Sequence, residues 1–314
     1  MKNLVINLGI VLMYIPLTSM SYAFSSSPDI QLHKTKPSSN EGVKLGFIGF
    51  GTIASAIATG LLTQTQENIS SVYVSRRSES KSSELSQKFQ NCVHICEDNQ
   101  FIVDNCDILF LCVLPEQEEE VLKSLKIGDD KILVSLVSTS KVETLIKNSG
   151  LPSENVYKMI CLPAVAQLEG TPLLTPRSES NILHNLLSTL GGGTCVECEN
   201  ESIMESMMVT TCMMGPVYGL MKTNVDFLIR NGVPAKDASV VVGRQYWGMV
   251  KDALARSEDE NSLDDLIKEQ TPGGLNEQTL KNLQGKGFLK SYEEAMEAVL
   301  GRIRGETDGS INTK

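Results

Sequence analysis

The chain is poor in histidine and in positive charge, and both shortages narrow the functions open to it. Its 314 residues include only three histidines, His33, His94 and His184. So few imidazoles argue against a histidine-based triad or a multi-histidine metal site. The formal net charge of −10 argues against nucleic acid or an anionic membrane as the main partner. A phosphate-bearing ligand would therefore need a local basic site.

The cysteines lack the spacing of a disulfide framework or a convincing zinc site. Two pairs, Cys92 with Cys96 and Cys195 with Cys198, are the alternative that favours zinc. Both pairs fall at predicted strands, and residues three apart in a strand, as Cys195 and Cys198 are, face opposite ways. Four others stand singly in apolar runs, as small buried side chains do: Cys106, Cys112, Cys161 and Cys212. We therefore predict no metal site.

The first 42 residues indicate a targeting segment followed by a linker. Residues 1–23 combine Lys2, an apolar stretch, and the small residues Ser21 and Ala23 at the −3 and −1 positions of a cleavage site, which predicts a signal peptide. A transmembrane helix is the alternative, although the apolar stretch is short and contains a proline. Residues 24–42 are rich in serine and proline and nearly neutral, so we expect them to be disordered.

The junction between Ala23 and Phe24, with serines after it, resembles the bipartite presequence of proteins in algae with secondary plastids. In such a presequence, a signal peptide precedes a transit peptide that begins with phenylalanine. We therefore expect a plastid protein with no membrane segment in its mature form. Secretion is the alternative.

Short apolar runs alternate with helical stretches from residue 43 onwards. Predicted strands cover 43–48, 71–75, 91–95, 107–113 and 131–136, and predicted helices cover 53–63, 80–90, 116–125 and 141–149. This alternation predicts an α/β fold with a doubly wound parallel sheet. Further strands near 156–160 and 194–197, with a helix at 181–190, complete a Rossmann-type domain over residues 43–199.

Beyond residue 199 the predicted strands stop. Predicted helices cover 202–231, 235–256, 262–269, 276–284 and 289–304, which gives an all-α domain over 200–305 and a tail over 306–314. The long helices are apolar on more than one face, and such helices need burial on several sides. We therefore predict that this domain forms a dimer.

The most informative motif lies between the first predicted strand and the first predicted helix. Residues 49–54 are GFGTIA, which fits the dinucleotide fingerprint G-x-G-x-x-G/A in its required strand–turn–helix context. Gly49 permits the tight turn, Gly51 lets the backbone approach a pyrophosphate, and Ala54 lets helix and strand pack closely. The helix N-terminus offers free N–H groups to the phosphates. A glycine turn in an unrelated α/β domain is the alternative.

The end of the second predicted strand indicates which cofactor binds. An acidic residue about 20 positions beyond the glycines would select NAD, but this chain has Ser75, Arg76 and Arg77 there. Hydroxyl and guanidinium groups suit a 2′-phosphate. We predict NADPH as the cofactor, with NADH possible; a solvated arginine pair on the surface is the alternative.

Several segments, in order and spacing, resemble the pyrroline-5-carboxylate reductase family. They are GFIGFGTIASAI, VSRRS, EDN, DILFLCVLPEQ, GVPAKDA and TPGGLNEQTLKNLQGKGF, and the similarity covers about residues 43–304. The resemblance implies reduction of the C=N bond of Δ1-pyrroline-5-carboxylate to L-proline by NADPH. It also implies a homodimer, or a ring of dimers, built through the C-terminal helices.

The resemblance implies a set of site residues. The cofactor contacts are Ile48, Gly49, Phe50, Gly51, Thr52, Ile53, Ser75, Arg76, Arg77, Asn99, Cys112, Val113, Leu114, Pro115, Val137, Ser138 and Thr139. The substrate contacts are Gly273, Gly274, Leu275 and Asn276, and the candidate catalytic residues are Thr271, Asn276 and Tyr218. The glycines precede a predicted helix, so their N–H groups can form an anion cradle for a carboxylate. An ordinary turn is the alternative for this loop.

The chain departs from the family pattern where polar groups are expected near the ligands. Leu114 replaces a lysine, Asn276 a threonine, and Leu162 stands in the segment where the family has an asparagine. Met213 and Met214 replace small polar residues. Two alternative functions therefore remain open: a reductase of a different, more apolar imine or carbonyl compound, and a non-catalytic NADP-binding paralogue.

Overall fold

The computed structural model describes residues 42–64, 68–76 and 78–307. The predicted signal peptide, the predicted linker up to residue 41, Arg77 and residues 308–314 lie outside the described residues. The predictions that concern them remain predictions. Within the described ranges, no helix combines the length and the hydropathy needed to cross a bilayer.

The first half of the chain forms an eight-stranded sheet with the order β3-β2-β1-β4-β5-β6-β7-β8. The strands are β1 (Val43–Ile48), β2 (Ile69–Ser75), β3 (Val93–Cys96), β4 (Ile108–Leu111), β5 (Ile132–Ser135), β6 (Val156–Ile160), β7 (Leu173–Thr175) and β8 (Val196–Glu197). All neighbouring strands are parallel except β6 and β7, which are antiparallel. The predicted Rossmann-type sheet is confirmed, with one antiparallel pair that the sequence did not indicate.

Six helices cover the two faces of this sheet. They are α1 (Thr52–Gln64), α2 (Glu79–Lys88), α3 (Asn99–Asn105), α4 (Pro115–Ser124), α5 (Val142–Ser149) and α6 (Asn181–Leu190). The core beneath α1 and α6 contains Phe47 and Phe110, whose rings stack with centroids 4.9 Å apart. Ile48 and Leu109 point to the opposite face, beneath α3, α4 and α5, because side chains alternate along a strand. Both faces are thus buried, as a parallel sheet requires.

The remaining helices follow the sheet. They are α7 (Glu201–Cys212), α8 (Met214–Arg230), α9 (Ala235–Ala255), α10 (Ser262–Lys268), α11 (Leu275–Gly285) and α12 (Phe288–Ile303). Helix α7 packs against α12 and β7, and Met204 and Met208 of α7 join a small core with Ile160 and Leu173. The predicted helical half is confirmed.

Large apolar side chains on α8 and α9 remain exposed. No residue of α8 is buried. The exposed set on these helices includes Met214, Tyr218, Leu220, Phe227, Ile229, Val240, Val241, Trp247, Met249, Val250 and Leu254. The two helices contact each other, yet their outer faces are not covered by the described part of the chain.

The sequence-based prediction was wrong in three places: one predicted helix is divided, and two short elements were missed. The predicted helix 202–231 is two helices, because Pro216 has no N–H to continue the hydrogen-bond ladder to the carbonyl of Cys212, and the chain turns at Met213. Helix α3 and strand β7 were missed. Helix α3 has only seven residues and is capped by Asp98, whose side chain accepts the N–H of Gln100 at 3.0 Å. Strand β7 has only three residues, too few to show a periodicity.

Candidate active site

The turn between β1 and α1 can be made only by glycine at its first position. Gly49 has φ +85°, and a Cβ there would lie 2.6 Å from the carbonyl oxygen of Cys112, directly after β4. The Gly49 N–H donates to Oγ of Ser75 at 3.0 Å. This buried hydrogen bond ties the turn to the end of β2. The turn is therefore fixed between the carboxyl ends of its two neighbouring strands.

Gly51 stands in open space. No heavy atom lies within 4 Å of the position that its Cβ would take. The first N–H groups of α1 begin here and have no partner inside the helix. Ala54, the third small residue of the motif, is fully buried where the helix meets the sheet. Room for a ligand, free donors and the positive end of a helix thus coincide, which is the arrangement that binds phosphate.

The other residues of this turn differ in which atoms they can offer a ligand. The side chains of Ile48 and Phe50 are buried, and the Phe50 ring meets Phe47 edge to face at 5.9 Å. Only their backbone atoms can reach a ligand. Thr52 exposes its hydroxyl, and Ile53 is half-buried. Of the four predicted contacts, those at Ile48 and Phe50 can therefore use only backbone atoms, whereas those at Thr52 and Ile53 can also use side-chain atoms.

A cavity of about 350 Å³ opens beside the turn. Its lining combines residues at the ends of the first four strands with one residue of α4: Gly49, Ser75, Arg76, Glu97, Asn99, Val113 and Val121. The predicted cofactor residues Ser75, Arg76 and Asn99 are thus brought together with Gly49. In an open α/β sheet, this edge is where ligands bind.

Two residues of this region were missed by sequence reasoning as site residues. Glu97 lies beside Arg76 and forms an ion pair with its guanidinium, both side chains being more than half exposed. Lys81 of α2 donates from Nζ to Oγ1 of Thr52 at 2.5 Å, which brings a cation to the start of α1. Either residue could be recognised only from the tertiary contact, since charged residues in loops and first helical turns are common.

The ends of β4 and β5 supply the far side of the crevice. Cys112 follows β4, and α4 begins at Pro115 with the exposed Leu114 before it. Burial raises the pKa of the Cys161 thiol to about 12, and burial together with Cys161 raises that of Cys112. Both thiols are therefore neutral near pH 7 and can only line the site. None of the eight cysteines forms a disulfide.

The loop after β5 carries the last predicted cofactor residues. Val137 is buried, and its N–H donates to Oγ of Ser135 at 3.2 Å. Ser138 and Thr139 are the more exposed part of the loop. Because β5 is parallel to β4 and β6, the loop lies at the same edge of the sheet as the glycine turn.

The predicted substrate loop precedes α11. The N–H of Gly274 donates to the carbonyl of Thr271 at 2.8 Å, and Gly273 has φ +72°. The N–H of Gly273 donates to Oε2 of Glu277 at 2.5 Å. A carboxylate of the chain itself thus occupies one donor of the predicted anion cradle. The Gly273 N–H can therefore bind a carboxylate, but in this structure Glu277 already occupies it.

The predicted catalytic residues are only partly brought together. Thr271, Gly274, Leu275 and Asn276 line a cavity of about 380 Å³, and Asn276 donates from Nδ2 to Oε1 of Gln270 at 2.7 Å. Tyr218 lies exposed on α8 and lines neither this cavity nor the one beside Gly49. The two cavities share no residue.

A metal is not indicated by the placement of side chains. In the described ranges, no group of three or more histidine, cysteine, aspartate or glutamate residues is arranged to hold a metal ion. Cys195 and Cys198 lie directly before and after β8 in the chain.

The fold and its glycine turn define an oxidoreductase with a Rossmann-type half. Residues 44–139 match the family described as NADP oxidoreductase, coenzyme F420-dependent. The chain is 28% identical over 265 residues to pyrroline-5-carboxylate reductase 3 of Xenopus laevis, covering 82% of this chain and 94% of that protein. It is 26% identical to pyrroline-5-carboxylate reductase of Escherichia coli K12, covering 81% and 94%. These matches agree with the resemblance to pyrroline-5-carboxylate reductases and extend over 82% and 81% of this chain.

Solved structures give the same fold. The 1-pyrroline-5-carboxylate reductase of Streptococcus pyogenes has a TM-score of 0.70 at 19% identity, covering 85% of this chain and all of that one (100%). The Plasmodium falciparum pyrroline carboxylate reductase, solved with NADP bound, has a TM-score of 0.69 at 20% identity, covering 84% and 98%. At these identities the likeness concerns the fold.

The two glycines of the turn should respond differently to the same substitution. Gly49→Ala introduces a clash with backbone and an unfavourable φ, so we expect the free energy of unfolding to fall by about 2–4 kcal/mol. Gly51→Ala adds a methyl group in open space, so we expect a change within about 0.5 kcal/mol. Urea unfolding of the two variants measures the contrast. Equal losses would contradict the assignment of Gly51 to ligand approach.

Proposed function

We propose that the protein reduces the C=N bond of Δ1-pyrroline-5-carboxylate with NADPH, giving L-proline. The observation that carries this proposal is the glycine turn with open space at Gly51, in a chain that matches pyrroline-5-carboxylate reductases over more than nine-tenths of their length. The substrate loop before α11 supports the carboxylate-bearing substrate. The bound nicotinamide supplies the hydride, and the protein positions the reactants and excludes water.

Each part of the cofactor has residues of matching chemistry. The N–H groups at the start of α1 hold the pyrophosphate, with Lys81 as a nearby cation. Ser75 and Arg76 hold the 2′-phosphate of NADPH. The neutral side chains of Cys112 and Cys161 and the loop from Val137 to Thr139 bound the nicotinamide half.

The substrate carboxylate takes the place that Glu277 occupies at the N–H of Gly273. Glu277 also pairs with Lys281 at 2.5 Å, so it keeps a partner when the substrate displaces it. Asn276 then turns its amide from Gln270 towards the imine nitrogen as a hydrogen-bond donor. The proton that this nitrogen gains, as the carbon gains hydride, comes from solvent. Thr271 and Tyr218 are the other candidate donors to that nitrogen.

A second candidate is a reductase of a more apolar imine or carbonyl compound. A cavity of about 610 Å³ borders Asn276 and is lined largely by apolar residues of α9 and α10: Met249, Val250, Ala253, Leu263, Leu266 and Ile267. This lining and the exposed Leu114 and Met214 favour a substrate with little polarity. A non-catalytic NADP-binding paralogue is the remaining alternative.

The active form is proposed to be a homodimer, or a ring of dimers, built through the C-terminal helices. The exposed apolar faces of α8 and α9 support this assembly. The cavity beside Gly49 and the cavity at the predicted substrate loop are separate. A second subunit could therefore also complete the site. We further propose that the presequence directs the protein to a plastid, with secretion as the alternative.

Turnover is the primary test of the proposed reaction. We expect rapid loss of NADPH absorbance when pyrroline-5-carboxylate is added, and slower loss with NADH. A cyclic imine of the same ring size without the carboxylate is the matched control, and it should react poorly because the loop before α11 gains no anion. The reverse order of the two imines would favour the apolar-substrate alternative. Binding of NADPH without turnover on either would favour the non-catalytic one.

Substitutions at Arg76 and Glu97 should change the affinity for NADPH in opposite directions. Arg76→Met removes charge-assisted hydrogen bonds to the 2′-phosphate, so we expect NADPH affinity to fall by about 10- to 100-fold. NADH affinity should stay the same. Glu97→Gln releases Arg76 from its ion pair, which is exposed and weak, so NADPH affinity should rise by about two- to fivefold. Fluorescence titration measures both constants.

Glu84→Gln is the control for this experiment, since Glu84 is exposed on α2 and lies outside the cavity lining. It changes the net charge by the same amount and should leave both affinities unchanged. A fall in NADPH affinity in Glu97→Gln would mean instead that Glu97 orients Arg76 for the phosphate.

The assembly can be tested at one side chain. Phe227→Glu places a charge on the exposed apolar face of α8. Because a symmetric dimer contains this position twice, its free energy of association should weaken by about 3–6 kcal/mol. Light scattering should show a dimer for the parent protein and a monomer for this variant. Lys222→Glu is the control, because position 222 lies about 140° around the helix from position 227. A parent protein that is monomeric at all concentrations would contradict the proposal.

A further inference from the structure

Buried charges gather behind the loop that follows β5, where the proposed reaction uses none of them. Lys158 of β6 is 2% exposed, Glu118 of α4 is 4% exposed and Glu205 of α7 is 5% exposed. Buried ions are costly unless they are paired, and apolar side chains of similar volume are often at least as stabilising. The arrangement of these charges therefore calls for a role other than stability.

Lys158 is the central cation of this group. Its Nζ lies 3.6 Å from Oε1 of Glu201 at the start of α7. That oxygen is buried and accepts no hydrogen bond from the described residues, so the ion pair is its compensation. Lys158 also acts on Glu118, where its charge opposes the rise in carboxyl pKa that burial causes. The positive charge of Lys158 thus compensates carboxylates on both α4 and α7.

Two buried carboxylates, Glu118 and Glu205, hold the loop. The Ser140 hydroxyl donates to Glu118, and the Lys141 ammonium donates to Glu205. Ser140 and Lys141 directly follow the segment Val137–Thr139. The loop is therefore fastened at its far end to α4 and α7, while the Val137 N–H fastens its near end to Ser135.

The group also reaches the end of the helical half. Arg304, directly after α12, places Nε 3.8 Å from Oε2 of Glu205. Glu205 therefore faces Lys141 on one side and Arg304 on the other. The charges form a continuous set from the loop after β5, through α4 and β6, to α7 and the end of α12.

We propose that Lys158 is a positioning residue for the nicotinamide half of the cofactor. Its ion pair with Glu201 fixes the start of α7, where Glu205 one turn further along holds Lys141. Its charge also compensates the buried Glu118 that accepts from Ser140. Both contacts fasten the Val137–Thr139 loop against the cofactor. The inference rests on the proposed function, because it requires this loop to contact the nicotinamide half. It assigns to Lys158 no contact with the cofactor itself.

The test compares two ligands on the full protein. NADPH spans both halves of the crevice, whereas adenosine 2′,5′-bisphosphate has the 2′-phosphate but no nicotinamide. For Lys158→Met we expect NADPH to bind about tenfold more weakly, while the bisphosphate binds within about twofold of the parent value. Lys158→Arg keeps the charge and should restore NADPH binding to within about threefold. Lys147→Met, at an exposed lysine of α5, is the control for loss of charge and should change neither constant.

A milder variant keeps the test decisive if Lys158→Met fails to fold. Ser140→Ala removes only the hydroxyl that Glu118 accepts, so NADPH binding should weaken by about threefold or more with the bisphosphate unchanged. Equal weakening of both ligands would overturn the inference, because it would indicate a general structural role. Unchanged NADPH binding in both variants would overturn it as well. If the parent protein binds neither ligand, the proposed function itself fails and this inference with it.

Discussion

The close approach of the β1–α1 turn to the end of β4 determines the position of every group in the cofactor crevice. With 2.6 Å between the carbonyl oxygen of Cys112 and the place of a Cβ at Gly49, no other residue fits the turn. The hydrogen bond from Gly49 to Ser75 then sets the end of β2 against it. The positions of the start of α1, of Ser75 and Arg76 and of the segment after β4 follow from these two contacts, since the parallel strands hold their carboxyl ends at one edge.

Long elements and local motifs were predictable, because their information lies in consecutive residues. Helix α6 was predicted at 181–190 and found at Asn181–Leu190, and α9 was predicted at 235–256 and found at Ala235–Ala255. Strand β7 was not predictable, because three apolar residues show no period and its pairing with β6 is antiparallel. The break at Met213 follows from Pro216, a signal that was present in the sequence but was outweighed by the apolar run around it.

The candidate site shows the same division between local and tertiary information. The glycine turn was predicted from its spacing and the loop before α11 from the family resemblance, because both motifs lie in consecutive residues; their ligand contacts stay predictions. Glu97, Lys81 and the buried charges were not, because each acquires its role from a residue far away in the chain: Lys141 and Glu205, for example, are 64 positions apart. The burial of Lys158 was not predictable from β6 either, because every residue of this strand is buried and no alternation separates its two faces.

The buried charges bear on how the two halves of the chain can work together. The cavity beside Gly49 is built mainly from strand ends, whereas the predicted substrate loop lies between helices α10 and α11. Apolar contacts tolerate sliding, but an ion pair with a buried, otherwise unpartnered oxygen does not, because separation leaves a charge without compensation. The pairs from Lys158 and Lys141 to α7 therefore fix where the helical half begins relative to the loop after β5.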